Sequence, residues 1–348
     1  MRALVFHGVG KIGWEERPMP TLSNPEDVIV QIEAATVCGT DLHITQGVHP
    51  EVPLGTILGH EGIGTIIETG ANVKKFRIGD RVLIPPTTSC GTCENCAKGY
   101  PAHCSGSGEN GWLLGHTIDG VQAEYARIPY ADNSLYAIPE GLSNEDAILA
   151  ADVLPSAFEI GVVNGRVSDG DTVVIIGDGP IGLSAVITAR LKNPASVILV
   201  GIEDFRLETA IMLGADHVVD SARPGWVEAV RKLCPKGGAD VVIEAVGKKE
   251  TLEGAFALVN TFGRVANIGV HTSPVSLPIE SMWIKNLTLT TGMLSCRCVP
   301  TLLDLQSKGE IRASSLITHR FKLFDTVRAY ETFSSASTSK ATKVFIGR

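Results

Sequence analysis

The sequence predicts an α/β protein of two domains: a mostly-β domain with long functional loops, and a doubly wound domain on a parallel six-stranded sheet. Three observations carry this. Residues 1 to about 150 hold short β-type runs broken by turn signals. From about residue 153, continuous apolar runs alternate with helical stretches, the pattern of a parallel sheet with crossovers. A chain of 348 residues is long enough for two such cores.

Taken in order, Met1 to Gly8 reads as a strand into a turn, and further strands are expected at 27–32, 64–68, 81–84 and 123–126, with little helix. Between Pro85 and Gly120 the β pattern gives way to glycine, cysteine and polar residues. The apolar run ending Val173-Val174-Ile175-Ile176 is what a strand covered on both faces needs. Strands are then expected at 196–200, 217–219, 240–244, 264–268 and 287–291, with helices through 191, over 205–213 and 227–233, and from 251. The tail returns to the style of the first domain: a helix over 300–308, a strand near 317–319, a helix from 325 and a last strand over 343–346. The Ser/Thr-rich stretch 334–342 reads as a solvated loop. Domain bounds are therefore set at 1–153 with 294–348, and 154–293.

Chemistry concentrates in three places. Cys38-Gly39-Thr40-Asp41-Leu42-His43, followed by Gly59-His60-Glu61-Gly62-Ile63-Gly64, puts a thiol, imidazoles and carboxylates among glycines that let the backbone approach closely. That mixture points to a metal centre, against the alternative of a glycine-rich turn with polar residues near a core. Cys90, Cys93, Cys96 and Cys104 form C-x2-C-x2-C-x7-C, which suits a closed tetrahedral zinc holding a loop with no core of its own. The rivals are an iron–sulfur cluster, whose usual fourth spacing differs, and idle thiols. Third, Gly177-Asp178-Gly179-Pro180-Ile181-Gly182 lies between a buried strand and a helix, where bare amides and a helix N-terminus cradle a pyrophosphate. Cys234, Cys296 and Cys298 have no ligand neighbours in sequence, and His49, His103 and His116 read as loop histidines without a role.

A net charge of −8 and the absence of a basic block give no electrostatic reason to bind nucleic acid or an anionic membrane. The first residues are too briefly apolar for a secretory segment, and no run approaches the ~18 apolar residues of a membrane span. A soluble, cytoplasmic protein is expected.

Together and in this order, these pieces resemble the zinc-dependent alcohol dehydrogenases of the medium-chain dehydrogenase/reductase family, from end to end: a GroES-like catalytic domain, the G-H-E-x-x-G stretch, the four-cysteine lobe, a Rossmann segment and a returning tail. Ala151-Asp152-Val153-Leu154-Pro155 gives it the flavour of the microbial secondary-alcohol enzymes, with a carboxylate in place of a second thiolate. The resemblance implies Cys38, His60 and Asp152 as ligands of a catalytic zinc, with Glu61 beside it as a transient fourth. It gives Thr40 a hydrogen bond to the substrate oxygen and His43 the passage of its proton. Asp41 becomes the acceptor behind the zinc-bound imidazole, while Pro86, Trp112 and Leu294 line the substrate pocket. Two Zn2+ per chain are implied, one catalytic and one structural.

For the cofactor, the implied contacts are Gly177, Gly179, Pro180, Ile181, Gly182, Glu203, Arg206, Val246 and Ile268. Gly201 stands where NAD-specific relatives place an acid, while Glu203 and Asp204 would repel a 2′-phosphate. NAD(H) is favoured and NADP(H) stays open. The implied reaction is reversible hydride transfer between a secondary or primary alcohol and NAD(P), giving a ketone or aldehyde, in a homo-oligomer, tetramer or dimer. The alternatives are a polyol or amino-alcohol dehydrogenase of the same family, and a non-catalytic nucleotide-binding structural or regulatory protein.

Overall fold

A computed structural model describes every residue except Glu109. The chain divides into two compact units, Met1–Asp152 with Ser295–Arg348, and Val153–Leu294.

The first unit opens with an antiparallel hairpin, β1 (Arg2–Gly8) and β2 (Lys11–Glu16). Its main sheet then takes β3 (Val28–Val37), β4 (Gly62–Thr69), β5 (Arg81–Ile84), β6 (Tyr125–Ile128) and β7 (Tyr136–Ala137). Between β3 and β4 the chain makes one short helix, α1 (Gly39–Thr45). β2 was not legible in sequence, because its residues are half-buried and show no clean alternation. The strand expected over 123–126 starts two residues later, at Tyr125.

The second unit is a parallel six-stranded sheet of β8 (Thr172–Ile176), β9 (Ser196–Gly201), β10 (His217–Asp220), β11 (Ala239–Glu244), β12 (Val259–Asn267) and β13 (Thr288–Thr291), in the order β10-β9-β8-β11-β12-β13. Every residue of β8 is buried, as its unbroken apolar run requires. Val174, Ile176, Ile198, Val200, Val242 and Val265 form its core with Leu252 and Phe256 from the helix Lys249–Leu258.

The tail supplies β14 (Ile317–Lys322) and β15 (Lys343–Gly347), completing the first unit's sheet in the order β14-β15-β3-β4-β5-β7, with β6 also on β3. β15 runs antiparallel to β3 and pairs Val344 with Val37, the residue before Cys38. Tyr330, Phe333, Val344 and Ile346 from the tail share one core with Leu4, Phe6, Val37, Ile44 and Leu58. The stretch 334–342 is not a plain loop: it contains a helical turn, Ala336–Ser339, pinned by the Ser339 hydroxyl on the Thr332 carbonyl. Among the described residues, no helix is long and apolar enough to cross a membrane.

Candidate active site

The site is assembled where β3 ends. Cys38, still extended, is the N-cap of α1, and the Asp41 carboxylate turns back to accept the Cys38 backbone N–H at 2.9 Å. That one contact fixes both the thiol and the carboxylate. Gly59 sits at φ +94, and a Cβ there would lie 2.5 Å from Gln122 Cγ, so only glycine lets the chain enter His60 and Glu61 here. Both are buried, at 3% and 1% exposure.

Cys38, His60, Glu61 and Asp152 each bring one donor atom into a group whose members all lie within 4.8 Å of one another. The Cys38 thiol donates to Asp152 Oδ2 at 3.4 Å, and His60 Nε2 is 4.0 Å from the same oxygen. On its far side, His60 Nδ1 lies 3.3 Å from Asp41 Oδ1, the carboxylate backing typical of a ligating imidazole. Burial pushes the Cys38 thiol up, and the Asp152 carboxylate pushes it further. Burial also resists charge on His60, yet Asp41 and Cys38 hold its protonated form well above the ordinary range. A thiol, an imidazole and carboxylates thus face one point. One thiol, one imidazole and one carboxylate fit a three-ligand zinc site with an open position.

Three residues that sequence reasoning missed hold this arrangement. Lys343, in β15, donates to Glu61 Oε1 at 2.6 Å, and both side chains are 1% exposed. Burial opposes the Lys343 charge, but Glu61 together with Cys38 and Asp152 outweighs it; burial raises Glu61 while Lys343 pulls it down. The other Glu61 oxygen, Oε2, is buried without a hydrogen-bond partner among the described residues. Gln122 donates through Nε2 to the Thr36 carbonyl at 2.9 Å and to Asp41 Oδ2 at 3.3 Å, while its Oε1 accepts from the Tyr330 hydroxyl at 2.8 Å. The only signal for Lys343 was a cation opening an apolar strand.

Thr40 and His43 lie half-buried on α1. Burial, then the charge of His49, lowers the pKa of His43, so it stays neutral to lower pH than a free imidazole. Trp112 stands edge-on to His60, ring centroids 6.4 Å apart. Pro86 is half-buried two residues past β5, and Leu294 belongs to the second unit.

Cys90, Cys93, Cys96 and Cys104 are free thiols whose sulfurs all lie within 4.8 Å of one another. Backbone amides point at them: Cys90 N–H reaches Cys104 Sγ at 3.2 Å and Cys93 N–H reaches Cys90 Sγ at 3.4 Å. The Cys96 backbone N–H draws the Cys93 thiol down to about 5, whereas burial pushes Cys96 up to about 12. At Gly106 a Cβ would come within 2.7 Å of Cys90 Sγ. Four converging sulfurs, amide-backed and closed off by a glycine, fit a structural zinc.

In the second unit, Gly177 at φ +120 leads from β8 into the helix Pro180–Arg190, whose first residue is a proline. A Cβ on Gly182 would lie 1.7 Å from the Gly177 carbonyl oxygen, while one on Gly179 would meet nothing within 4 Å. Gly182 is needed for strand–helix packing, and Gly179 leaves backbone open to a ligand. Asp178 Oδ2 accepts the Ile202 and Glu203 amides, each at 2.8 Å, and Arg206 Nη1 is 3.8 Å from Oδ1. A Cβ on Gly201 would fall 2.6 Å from Asp178 Oδ2, which gives the glycine at that position a physical reason. The neighbouring loop, with Val246 39% exposed, is braced by Glu244, a fully buried carboxylate accepting the Val246 and Gly247 amides at 2.9 Å. Ile268, just past β12, donates its amide to the Glu244 carbonyl at 2.8 Å.

Comparison with known proteins agrees with both units. The alcohol dehydrogenase GroES-like domain model matches residues 24–140, and the zinc-binding dehydrogenase model matches residues 180–308. A zinc-type alcohol dehydrogenase B of Aspergillus flavus is 35% identical over 98% of this chain and 80% of its own. The apo structure of zinc-dependent alcohol dehydrogenase 2 from Streptococcus pneumoniae superposes with a TM-score of 0.94 at 43% identity, covering 100% of this chain and 98% of that one. Two further solved structures carry nucleotide. An alcohol dehydrogenase from E. coli CFT073 holds NADH (28% identity, TM-score 0.90, coverage 100% and 99%), and a zinc-binding dehydrogenase from Sinorhizobium meliloti holds NADP (29%, 0.88, 100% and 99%).

Proposed function

For a chain that belongs to the zinc-dependent alcohol dehydrogenases of the medium-chain dehydrogenase/reductase family, we propose reversible hydride transfer between a secondary or primary alcohol and NAD(P), with catalysis at Cys38, His60 and Asp152. The observation that carries it is the convergence of these three donors, the half-buried Cys38 thiol with the buried His60 and Asp152, and Asp41 behind the imidazole. A zinc ion held there supplies the positive charge that lowers the pKa of a bound hydroxyl.

The remaining work belongs to the chain. Asp41 fixes the His60 tautomer so that Nε2 offers its lone pair to the ion, and Gln122 with Tyr330 holds Asp41 in place. Glu61 stays a neighbour of the site because Lys343 holds one of its oxygens. Thr40 takes the hydrogen bond to the substrate oxygen, and His43, neutral near pH 7, takes up the departing proton. Trp112 with Pro86 gives the substrate an apolar wall, which favours simple alcohols over polyols. The four cysteines hold a second, structural zinc.

The nucleotide binds along Gly177 to Gly182, with its adenosine end toward Glu203 and Arg206. Asp178, held by the Ile202 and Glu203 amides, adds a carboxylate to the acidic pair Glu203 and Asp204. Three carboxylates around that end disfavour a 2′-phosphate, so NAD is the preferred cofactor. Steady-state turnover on short 2-alkanols, sorbitol and threonine, each with NAD and NADP, tests both choices. The expected result is highest kcat/KM for a 2-alkanol with NAD. Preference for a polyol, or equal efficiency with NADP, would overturn the corresponding choice.

A further inference from the structure

We propose that His49, Glu51 and His116 form a third metal site, for a first-row divalent cation and zinc in the first place, built against Trp112 and separate from both zinc centres above. The three donor atoms lie within 4.8 Å of one another. His49 Nδ1 and His116 Nε2 both face a single oxygen, Glu51 Oε1, at 3.1 and 3.0 Å.

The hydrogen-bond accounting points to a cation. His116 Nδ1 lies 3.2 Å from the Trp112 carbonyl oxygen, which can only accept, so that nitrogen carries the proton. In a neutral ring, Nε2 is then a bare lone pair aimed at a carboxylate oxygen, itself an acceptor. Two acceptors at 3.0 Å repel unless a positive charge sits at the contact, as a proton or a metal ion. The metal alternative uses all three donors: two imidazoles and a carboxylate are the donor set of three-ligand zinc sites. A backbone carbonyl behind His116 is the outer support that ligating histidines ordinarily have. His116 is 6% exposed, whereas Glu51 is exposed and leaves a path for the ion from solvent.

The surroundings give the site a consequence. The Trp112 ring stacks on His116 at 4.0 Å and 12°, and meets His49 edge-on at 5.2 Å. Both candidate ligands therefore hold the same indole, whose ring also stands 6.4 Å from His60. An ion joining His49 to His116 fixes Trp112 between them and stiffens that wall of the catalytic pocket.

The test is a calorimetric titration of Zn2+ into enzyme that already carries its tightly held zinc, with intrinsic tryptophan fluorescence followed in parallel. The expected result is one additional equivalent per chain and a fluorescence change that Trp112→Phe abolishes. In Glu51→Gln and His116→Gln, checked for folding by circular dichroism, the additional equivalent should weaken by more than the roughly 10–100-fold that loss of an outer support costs. The tightly held zinc should stay. No additional equivalent in wild type would mean that a proton alone holds the cluster, and would overturn the proposal. So would an additional equivalent bound equally well by Glu51→Gln.

Discussion

Lys343 and Glu61 form the one fully buried lysine–glutamate pair among the described residues, beside the proposed zinc ligands. Removing one partner of such a pair leaves an uncompensated buried charge, worth about 3–5 kcal/mol. Lys343→Met is therefore expected to lose stability of that order in urea unfolding, and Lys343→Met with Glu61→Gln to recover most of it. A single variant as stable as wild type would show the pair to be dispensable. At His43, burial and His49 lower the pKa, so the imidazole is neutral and able to accept a proton at pH values where a free histidine is partly charged. His43→Gln should depress alcohol oxidation most at neutral pH and below, with partial rescue by external amine buffers. A pH–rate profile parallel to wild type and without rescue would remove the relay role.

At the scale of elements, the returning tail is what closes the catalytic unit, and its attachment can be titrated. Arg320, in β14, forks onto both oxygens of Glu145 at 2.7 and 2.6 Å. The pair is partly exposed, so its worth falls in the range of about 0.2–1 kcal/mol. Arg320 lowers the Glu145 pKa in the folded state. The pair's stabilisation is thus complete above the unfolded glutamate pKa and disappears as pH falls through the lowered folded value. Arg320→Met should reduce Tm slightly at pH 7 and match wild type once the pH lies below the lowered folded pKa, where the carboxyl is protonated in both states. A Tm difference that persists in acid would assign the loss to packing instead of charge.

Across the whole molecule, legibility followed distance along the chain. The four-cysteine lobe was readable because its cysteines fall within one short loop, and the Gly177–Gly182 turn because strand, glycines and helix are consecutive. α1 and its cap were half-readable: the residues were singled out, but not that Asp41 also caps the helix carrying Cys38. The supports were invisible, since Lys343 reaches Glu61 across 282 residues and Tyr330 reaches Gln122 across 208. The His49, Glu51 and His116 group was passed over for the same reason, because 65 residues separate Glu51 from His116. No local pattern encodes a contact that only the closed sheet creates.

The central claim is that Cys38, His60 and Asp152 together hold the catalytic zinc. The most direct measurement is zinc content per chain of Asp152→Asn beside wild type, taken with hydride transfer from a short 2-alkanol to NAD. The account predicts the loss of one tightly held zinc, retention of the zinc in the cysteine lobe, and hydride transfer reduced to background. Wild-type zinc content with wild-type turnover would contradict it.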